Sequence, residues 1–250
     1  MVQRKGLRLL SLGLALLVWQ IAAVLVKNSL LLVGPWEVAR RLCQLVTESA
    51  FWSAIRFSFC RITLGFFLGF GVSLLLAVLA ARFPVAEILL APYMTAVKTV
   101  PVASFIVMAL LWLSGQRINV FISFLMVLPV LYSNFLQGLR AADPQLKEMA
   151  RVFRMSPLNQ VRGIYAPALR PYCLSACQSA LGLCWKAGVA AEVIGVCSGS
   201  MGGMLYDAKI YLELDSLFAW TAVIVAVSVC FERLFLRLLS ALFHRMEGCV

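Results

Sequence analysis

The chain consists mainly of long apolar runs separated by shorter polar segments. A helix needs roughly 20 apolar residues to cross the hydrocarbon core of a bilayer, where its backbone polar groups must be satisfied internally. The apolar runs fall at about 9–26, 57–81, 86–113, 118–138, 172–196 and 216–239. The pattern therefore predicts an all-α membrane protein with about six transmembrane helices.

A different pattern follows the first run. Over residues 35–52, apolar side chains such as Val38 and Leu42 recur at helical spacing among charged ones, which predicts an amphipathic helix lying on the membrane surface. We divide a single transmembrane domain, 1–250, into an N-terminal helix at 1–34, a surface helix at 35–52, and a core at 53–243 that contains a polar loop at 139–171.

The first apolar run also has features of a secretory signal peptide, because the basic residues Arg4, Lys5 and Arg8 precede it. No small-x-small cleavage pattern ends the run. We therefore expect it to stay in place as an uncleaved membrane anchor.

The composition fits a membrane protein, with 62% hydrophobic and 13% charged residues. A net charge of +11 is also typical of nucleic-acid binding, but the basic residues lie between apolar runs, so no nucleic-acid partner is expected. The eight cysteines are scattered. Even Cys173 and Cys177, one helical turn apart, have no His or carboxylate nearby to complete a metal site, so we expect no bound metal.

The basic residues predict the orientation in the membrane. With the N-terminus in the cytoplasm, six spans return the C-terminus to the cytoplasm and place the 139–171 loop there too. Most lysines and arginines then lie on the inner side, as the positive-inside rule requires.

The 139–171 loop begins with a helix start signal. Asp143 followed by Pro144 is an N-cap with proline at the first helical position. Apolar residues then recur at i, i+3, i+4 and i+7, namely Leu146, Met149, Ala150 and Phe153. The spacing predicts a helix from about 143 to 155 with one apolar face.

Ser156 and Pro157 repeat the start signal for a second short helix, which is expected to end before Pro167. An apolar face outside the bilayer must be buried against something. Two interpretations stay open: a partner protein covers it, or it packs on the cytoplasmic ends of the chain's own helices.

Several residues within the spans are candidates for function. Charge inside a membrane is costly, so Lys98, Lys186 and Glu192 are candidates for a solute pathway or for gating. A lysine facing a pathway attracts an anion, whereas the plain alternative is snorkelling or pairing between helices. Pro101 predicts a break in the third span, either as a structural kink or beside a pathway.

The loop resembles the EAA motif of ATP-binding cassette importer permeases, whose pattern is Glu-Ala-Ala, three residues, Gly, nine residues, then Ile-x-Leu-Pro. The matching residues are Glu148, Ala150, Ile164 and Pro167, while Met149, Arg154 and Ala166 replace an alanine, the glycine and the leucine. The resemblance covers roughly residues 35–243. It is closest to the branch associated with nitrate, sulfonate and taurine uptake, on segments such as 97–103 and 190–195.

The resemblance implies a type I importer permease fold in a bacterial inner membrane, with both termini cytoplasmic. It also implies a homodimer of permease subunits, two cytoplasmic ATPase subunits and an external substrate-binding protein. The coupling helix would insert Leu146, Met149 and Phe153 into a groove of the ATPase, with Glu148 and Arg151 at the rim. Arg154 replaces the motif glycine, which places an arginine where a left-handed backbone is expected.

The chain is not expected to be an enzyme. It contains no Gly-x-x-x-x-Gly-Lys-Ser/Thr motif, so ATP and Mg²⁺ would be bound by partner subunits. The resemblance leaves sulfonates, taurine, nitrate and vitamin precursors as possible solutes. An ATP-independent secondary transporter or channel is the alternative, although such a protein has no need of the spaced motif.

Overall fold

A computed structural model describes residues 13–14, 17–25 and 33–247, with side chains to residue 245. Every regular element in this part of the chain is helical. Residues 17–25 are helical, and the helices that follow are α1 (Pro35–Leu45), α2 (Ser49–Arg82), α3 (Pro84–Thr99), α4 (Val102–Leu110), α5 (Gly115–Arg140), α6 (Pro144–Val152), α7 (Pro157–Gln160), α8 (Ala166–Ile194), α9 (Met201–Ile210) and α10 (Leu214–Glu247). A π-helical turn, Val161–Tyr165, joins α7 to α8.

Three described helices, α2, α5 and α10, are long and apolar enough to cross a membrane, and the bent pair α3–α4 passes the same test when its two helices are taken together. Helix α8 has 29 residues, but its sequence includes the polar residues Gln178, Lys186 and Glu192. It packs along α5, so much of its surface contacts protein instead of lipid. Such a surface can be less apolar. The expected first span, 9–26, lies partly outside the described residues.

The expected break in the third span is confirmed. Helix α3 ends at Thr99, α4 begins at Val102, and their axes differ by 99°. Val100 has the extended backbone that a following proline favours, and Pro101 stands at the N-cap of α4, where its missing N–H is not needed.

The amphipathic helix is shorter than expected. Helix α1 ends at Leu45, and residues 49–52 already belong to α2, so the boundary at Trp52 was wrong. Pro35 starts α1, and the Glu37 side chain accepts a hydrogen bond from the Gly34 backbone N–H at 3.3 Å. A turn at residues 46–48 separates α1 from α2.

The described chain divides into two compact units. The first comprises residues up to 58 together with 196–226. Inside this unit the Phe51 and Trp220 rings lie 5.2 Å apart, and Arg41 on α1 donates a hydrogen bond to Ser216 at 2.9 Å. These contacts attach α1 and the start of α2 to the start of α10.

The second unit comprises residues 59–195 and the described residues from 227 onward, and its core is the α5–α8 pair. Glycines permit very close packing within this pair and between α2 and α5. A Cβ atom at Gly65 would lie 2.5 Å from the Val120 carbonyl oxygen, and one at Gly188 would lie 2.6 Å from Ser123 Oγ. Small residues allow membrane helices to approach closely enough for dispersion forces to hold them.

Candidate functional site

Helix α6 forms as the cap signal predicts. The Asp143 side chain accepts a hydrogen bond from the Gln145 backbone N–H at 2.8 Å, and Pro144 occupies the first helical position. The helix ends at Val152, three residues before the expected end. The interpretation of 143–155 as a short capped helix is therefore confirmed, with a shorter C-terminal boundary.

The apolar face of α6 divides into a buried edge and an exposed surface. Ala150 is only 1% exposed and packs with Ala142 and Ile164. Leu146 and Met149 are 40% and 42% exposed, and Phe153 is 75% exposed. Packing on the chain's own helices thus accounts for Ala150, whereas most of the face remains uncovered.

Val152 also lies on this uncovered face, although it was not predicted from the sequence. Val152 is 78% exposed and lies three positions after Met149, which puts it on the same side of α6. That spacing was the signal that could have identified it. We define the apolar loop surface as Leu146, Met149, Val152 and Phe153; the charged side chains of Glu148, Arg151 and Arg154 are also exposed.

Helix α6 ends in a Schellman motif with Arg154 at its left-handed position. The Met155 N–H donates to the Ala150 carbonyl at 2.9 Å, the Arg154 N–H donates to the Arg151 carbonyl at 3.2 Å, and Arg154 has φ +50°. Glycine is preferred at this position because an L side chain is strained there, at roughly 1–2 kcal/mol. The left-handed backbone of this turn therefore explains why the motif has a glycine here. This chain forms the same turn with an arginine.

The second short helix, α7, ends at Gln160, before Pro167 as expected, but no break separates it from α8. Ser156 caps α7 by accepting from the Asn159 N–H at 3.4 Å, but the chain then passes through the π-helical turn directly into α8. The Ala166 N–H bonds to the Val161 carbonyl, one residue further back than in an α-helix. Such a widened turn accommodates the proline ring without ending the helix.

Ile164 packs between the 139–171 loop and the start of α8. It is buried and packs with Ala142 and Ala150, and Met155 and Tyr165 lie against the same cluster. Pro167 is half-buried in the first turn of α8. Ala150 belongs to α6 and Ile164 precedes α8 without a break, so this buried cluster links α6 to the start of α8.

Glu192 is completely buried near the C-terminal end of α8. Its Oε1 accepts a hydrogen bond from Asn119 Nδ2 at 2.8 Å, and Asn119 on α5 is buried as well. Burying a carboxylate is costly unless hydrogen bonds satisfy it. Glu192 therefore joins α5 to α8 inside one subunit. Asn119 was not predicted from the sequence, although its polar side chain at the start of a span was the available signal.

The other three pathway candidates lie at exposed positions. Lys98 stands in the last turn of α3, next to the break at Pro101, and its Nζ donates to Ser133 Oγ at 3.3 Å. Pro101 and Lys186 are also exposed. Glu192 is thus buried, whereas the side chains of Lys98 and Lys186 face outward from the described chain.

A bidentate ion pair joins the start of α3 to the end of α5. Both guanidinium nitrogens of Arg140 bond to the two carboxylate oxygens of Glu87, with Nη1 and Oε1 2.8 Å apart. Bidentate pairs of this kind fix orientation as well as distance. The pair therefore positions the point at which the 139–171 loop leaves α5.

Comparison with known proteins identifies related chains. The sequence model of the family described as "Binding-protein-dependent transport system inner membrane component" matches residues 69–245. The chain is 29% identical to the putative aliphatic sulfonates transport permease protein SsuC of Bacillus subtilis (strain 168), covering 98% of this chain and 89% of the relative. It is 24% identical to the taurine transport system permease protein TauC of Escherichia coli (strain K12), covering 86% and 80%.

A solved structure shares the fold. The crystal structure of an amino acid ABC transporter with histidines contains a chain that aligns with a TM-score of 0.56 and 17% identity, covering 85% of this chain and 99% of the other. The alignment covers most of the chain, so the two chains share a fold.

Proposed function

The chain belongs to the family of binding-protein-dependent transport inner membrane components, and from this premise we propose that its 139–171 loop couples cytoplasmic ATPase subunits to the passage of a small anion. Family membership decides against an ATP-independent secondary transporter or channel. The observation that carries the proposal is the apolar loop surface, which is exposed although it lies on a helix attached to the core.

A groove of the ATPase subunit covers the apolar loop surface. Contiguous exposed apolar side chains ringed by charged ones are typical of a protein interface. Glu148, Arg151 and Arg154 lie at the rim and fix the orientation of α6. ATP and Mg²⁺ bind in the ATPase subunits, and this chain contributes only the contact.

Motion then passes from the loop into the membrane. When the ATPase subunits close, α6 moves as a rigid body because the Schellman turn and the cap at Asp143 hold both of its ends. The buried contact between Ala150 and Ile164 carries the displacement to α8, which packs along α5. Rigid-body rocking of packed helices is a common means of alternating access.

The solute is proposed to be a small anion. Lys98 and Lys186 are exposed cations within apolar helices, and charge at such positions is typical of a solute pathway. The names of two relatives refer to sulfonates and taurine, solutes that carry a sulfonate group. Nitrate and anionic vitamin precursors stay within the proposal because the external binding protein selects the solute.

The assembly is proposed to contain two copies of this chain, two ATPase subunits and one external binding protein, in a bacterial inner membrane. Both termini and the 139–171 loop are placed in the cytoplasm, on the basis of the distribution of basic residues. Two copies bring their exposed lysines to one pathway at the axis of the dimer.

The test is copurification of the full chain with its co-expressed ATPase. Met149→Asp combined with Phe153→Asp places two charges in the apolar loop surface, and we expect the complex to be lost. Burial of each side chain contributes about 1.5–3 kcal/mol, so binding should weaken at least about 100-fold.

Met149→Leu combined with Phe153→Leu is the matched control, because it keeps the surface apolar, and it should copurify like the unaltered chain. Each variant is checked for monodisperse elution before the comparison. An intact complex with the two aspartates would reject the coupling role of α6.

A further inference from the structure

An apolar groove lies next to the coupling loop, between α2, α5, α8 and α10. Its volume is about 580 Å³, within the range of roughly 300–1,000 Å³ that is typical of ligand pockets. Most of its lining is hydrocarbon, from residues such as Phe70, Leu74, Val78, Leu239 and Leu242. The groove therefore suits an alkyl chain better than a polar solute.

Three basic residues line the same groove, namely Arg82, Arg140 and Lys147. Arg82 is the last residue of α2 and Arg140 is the last residue of α5, so both side chains stand where a helix ends. Lys147 belongs to α6. An apolar groove is thus bordered by cations at the helix ends.

The charge at this border is not neutralised within the described residues. Arg140 is paired with Glu87. In that same part of the chain, Arg82 and Lys147 have no carboxylate partner, and each lies beside an aromatic ring, with 5.8 Å to the ring centroids of Phe83 and Tyr165. Two cations are therefore available to an anionic headgroup.

We propose that this groove binds an anionic glycerophospholipid, with an acyl chain along the apolar lining and the phosphate between Arg82 and Lys147. Basic pockets between transmembrane helices on the cytoplasmic side are suited to such headgroups. The assignment to the inner leaflet rests on the proposed function, since that proposal sets the orientation of the chain. The binding itself does not depend on the orientation.

Charge excludes two other occupants. A second copy of the chain packed groove to groove would bring the same cations face to face. Residues 1–12 carry Arg4, Lys5 and Arg8, which have the same sign as the border. A lipid supplies both the alkyl chain and the negative charge that the groove requires.

The test is native mass spectrometry of the detergent-purified full chain with phosphatidylglycerol and with phosphatidylcholine of the same acyl chains. We expect preferential retention of phosphatidylglycerol. In Arg82→Gln combined with Lys147→Gln, the affinity for phosphatidylglycerol should fall roughly 30-fold, and the preference should disappear. Arg151→Gln combined with Arg162→Gln removes two charges outside the groove lining and should leave the preference intact.

A second pair of variants tests the apolar part. Val78→Trp fills the groove and should abolish lipid retention, while Leu79→Trp, at the adjacent position outside the lining, should not. Glycerol 3-phosphate at equal concentration should not displace the lipid, because it has no acyl chain. Displacement by glycerol 3-phosphate would identify a simple anion site and overturn the proposal.

Two further results would reject the lipid site. Equal retention of both lipids, unchanged in every variant, would identify non-specific annular lipid. Conversion of a dimer to a monomer by Val78→Trp, measured by light scattering, would identify the groove as a subunit interface. Lipid retention is measured without ATPase subunits. The lipid result can therefore be interpreted even if the coupling proposal fails.

Discussion

Arg154 shows how one backbone conformation explains a motif position. The Schellman turn after α6 needs a left-handed residue, and φ is +50° at Arg154. Arginine replaces the motif glycine at this position, yet the turn between the two short helices is kept. Neighbouring contacts hold it, since Met155 packs against the buried cluster that contains Ala150.

Arg154→Gly should stabilise α6. Removing the side chain relieves the left-handed strain of roughly 1–2 kcal/mol, partly offset by the greater freedom of glycine in the unfolded chain, so a net gain of about 0.5–1 kcal/mol is expected. Hydrogen exchange of the α6 amides in the purified chain measures it as slower exchange.

Arg151→Gly is the matched control inside the same helix. A helix-interior glycine costs about 1 kcal/mol, so exchange of the α6 amides should become faster. Faster exchange in Arg154→Gly as well would contradict the assignment of strain to residue 154.

Between helices, small residues determine which elements can pack closely together. Gly65 and Gly69 lie four residues apart on α2, and Cβ atoms there would meet Val120, Ser123 and Val127 of α5. This spacing matches the small-xxx-small pattern of membrane helix pairs. The glycines therefore bring α2 close to α5, next to the α5–α8 core.

Gly65→Ala should destabilise the helix packing. The new Cβ would lie 2.5 Å from the Val120 carbonyl oxygen and 2.7 Å from Ser123 Cβ, so backbone must shift, at a cost of about 1–3 kcal/mol. Thermal unfolding of the detergent-solubilised chain should show a lower midpoint.

Gly71→Ala on the same helix provides the comparison, because nothing lies within 4 Å of its added Cβ. Alanine favours a helix over glycine by about 1 kcal/mol, so this variant should be neutral or more stable. If both alanines gave the same midpoint, close packing at Gly65 would be disproved.

For the whole molecule, orientation governs which surface meets the ATPase. The coupling loop, the Glu87–Arg140 pair and the basic border of the groove all lie where α5 ends and the 139–171 loop begins. The distribution of lysine and arginine predicts that this side is cytoplasmic.

Fusions to alkaline phosphatase test the orientation, because that enzyme forms its disulfides only outside the cytoplasm. A fusion after Ser114, between α4 and α5, should be active, and one after Ser156, in the coupling loop, should be inactive. Fluorescence of a cytoplasm-maturing reporter fused after Val250 provides the complementary signal. The reverse pattern would invert the chain and remove α6 from reach of the ATPase.

Features that depend on neighbouring residues could be predicted from the sequence. The apolar runs predicted membrane helices, Asp143 and Pro144 predicted the start of α6, and Pro101 predicted the break between α3 and α4. In each case the cause is local, because a cap, a missing N–H or an apolar run acts within a few residues of itself.

The side of each helix that is covered depends on packing between elements that are distant in the sequence. Residues distant in sequence meet in the pair Asn119–Glu192 and in the burial of Ala150 by Ile164. Whether Pro167 ends a helix also depended on the wider turn before it. Periodicity gives a helix an apolar face, but packing against other elements determines which part of that face stays exposed for a partner.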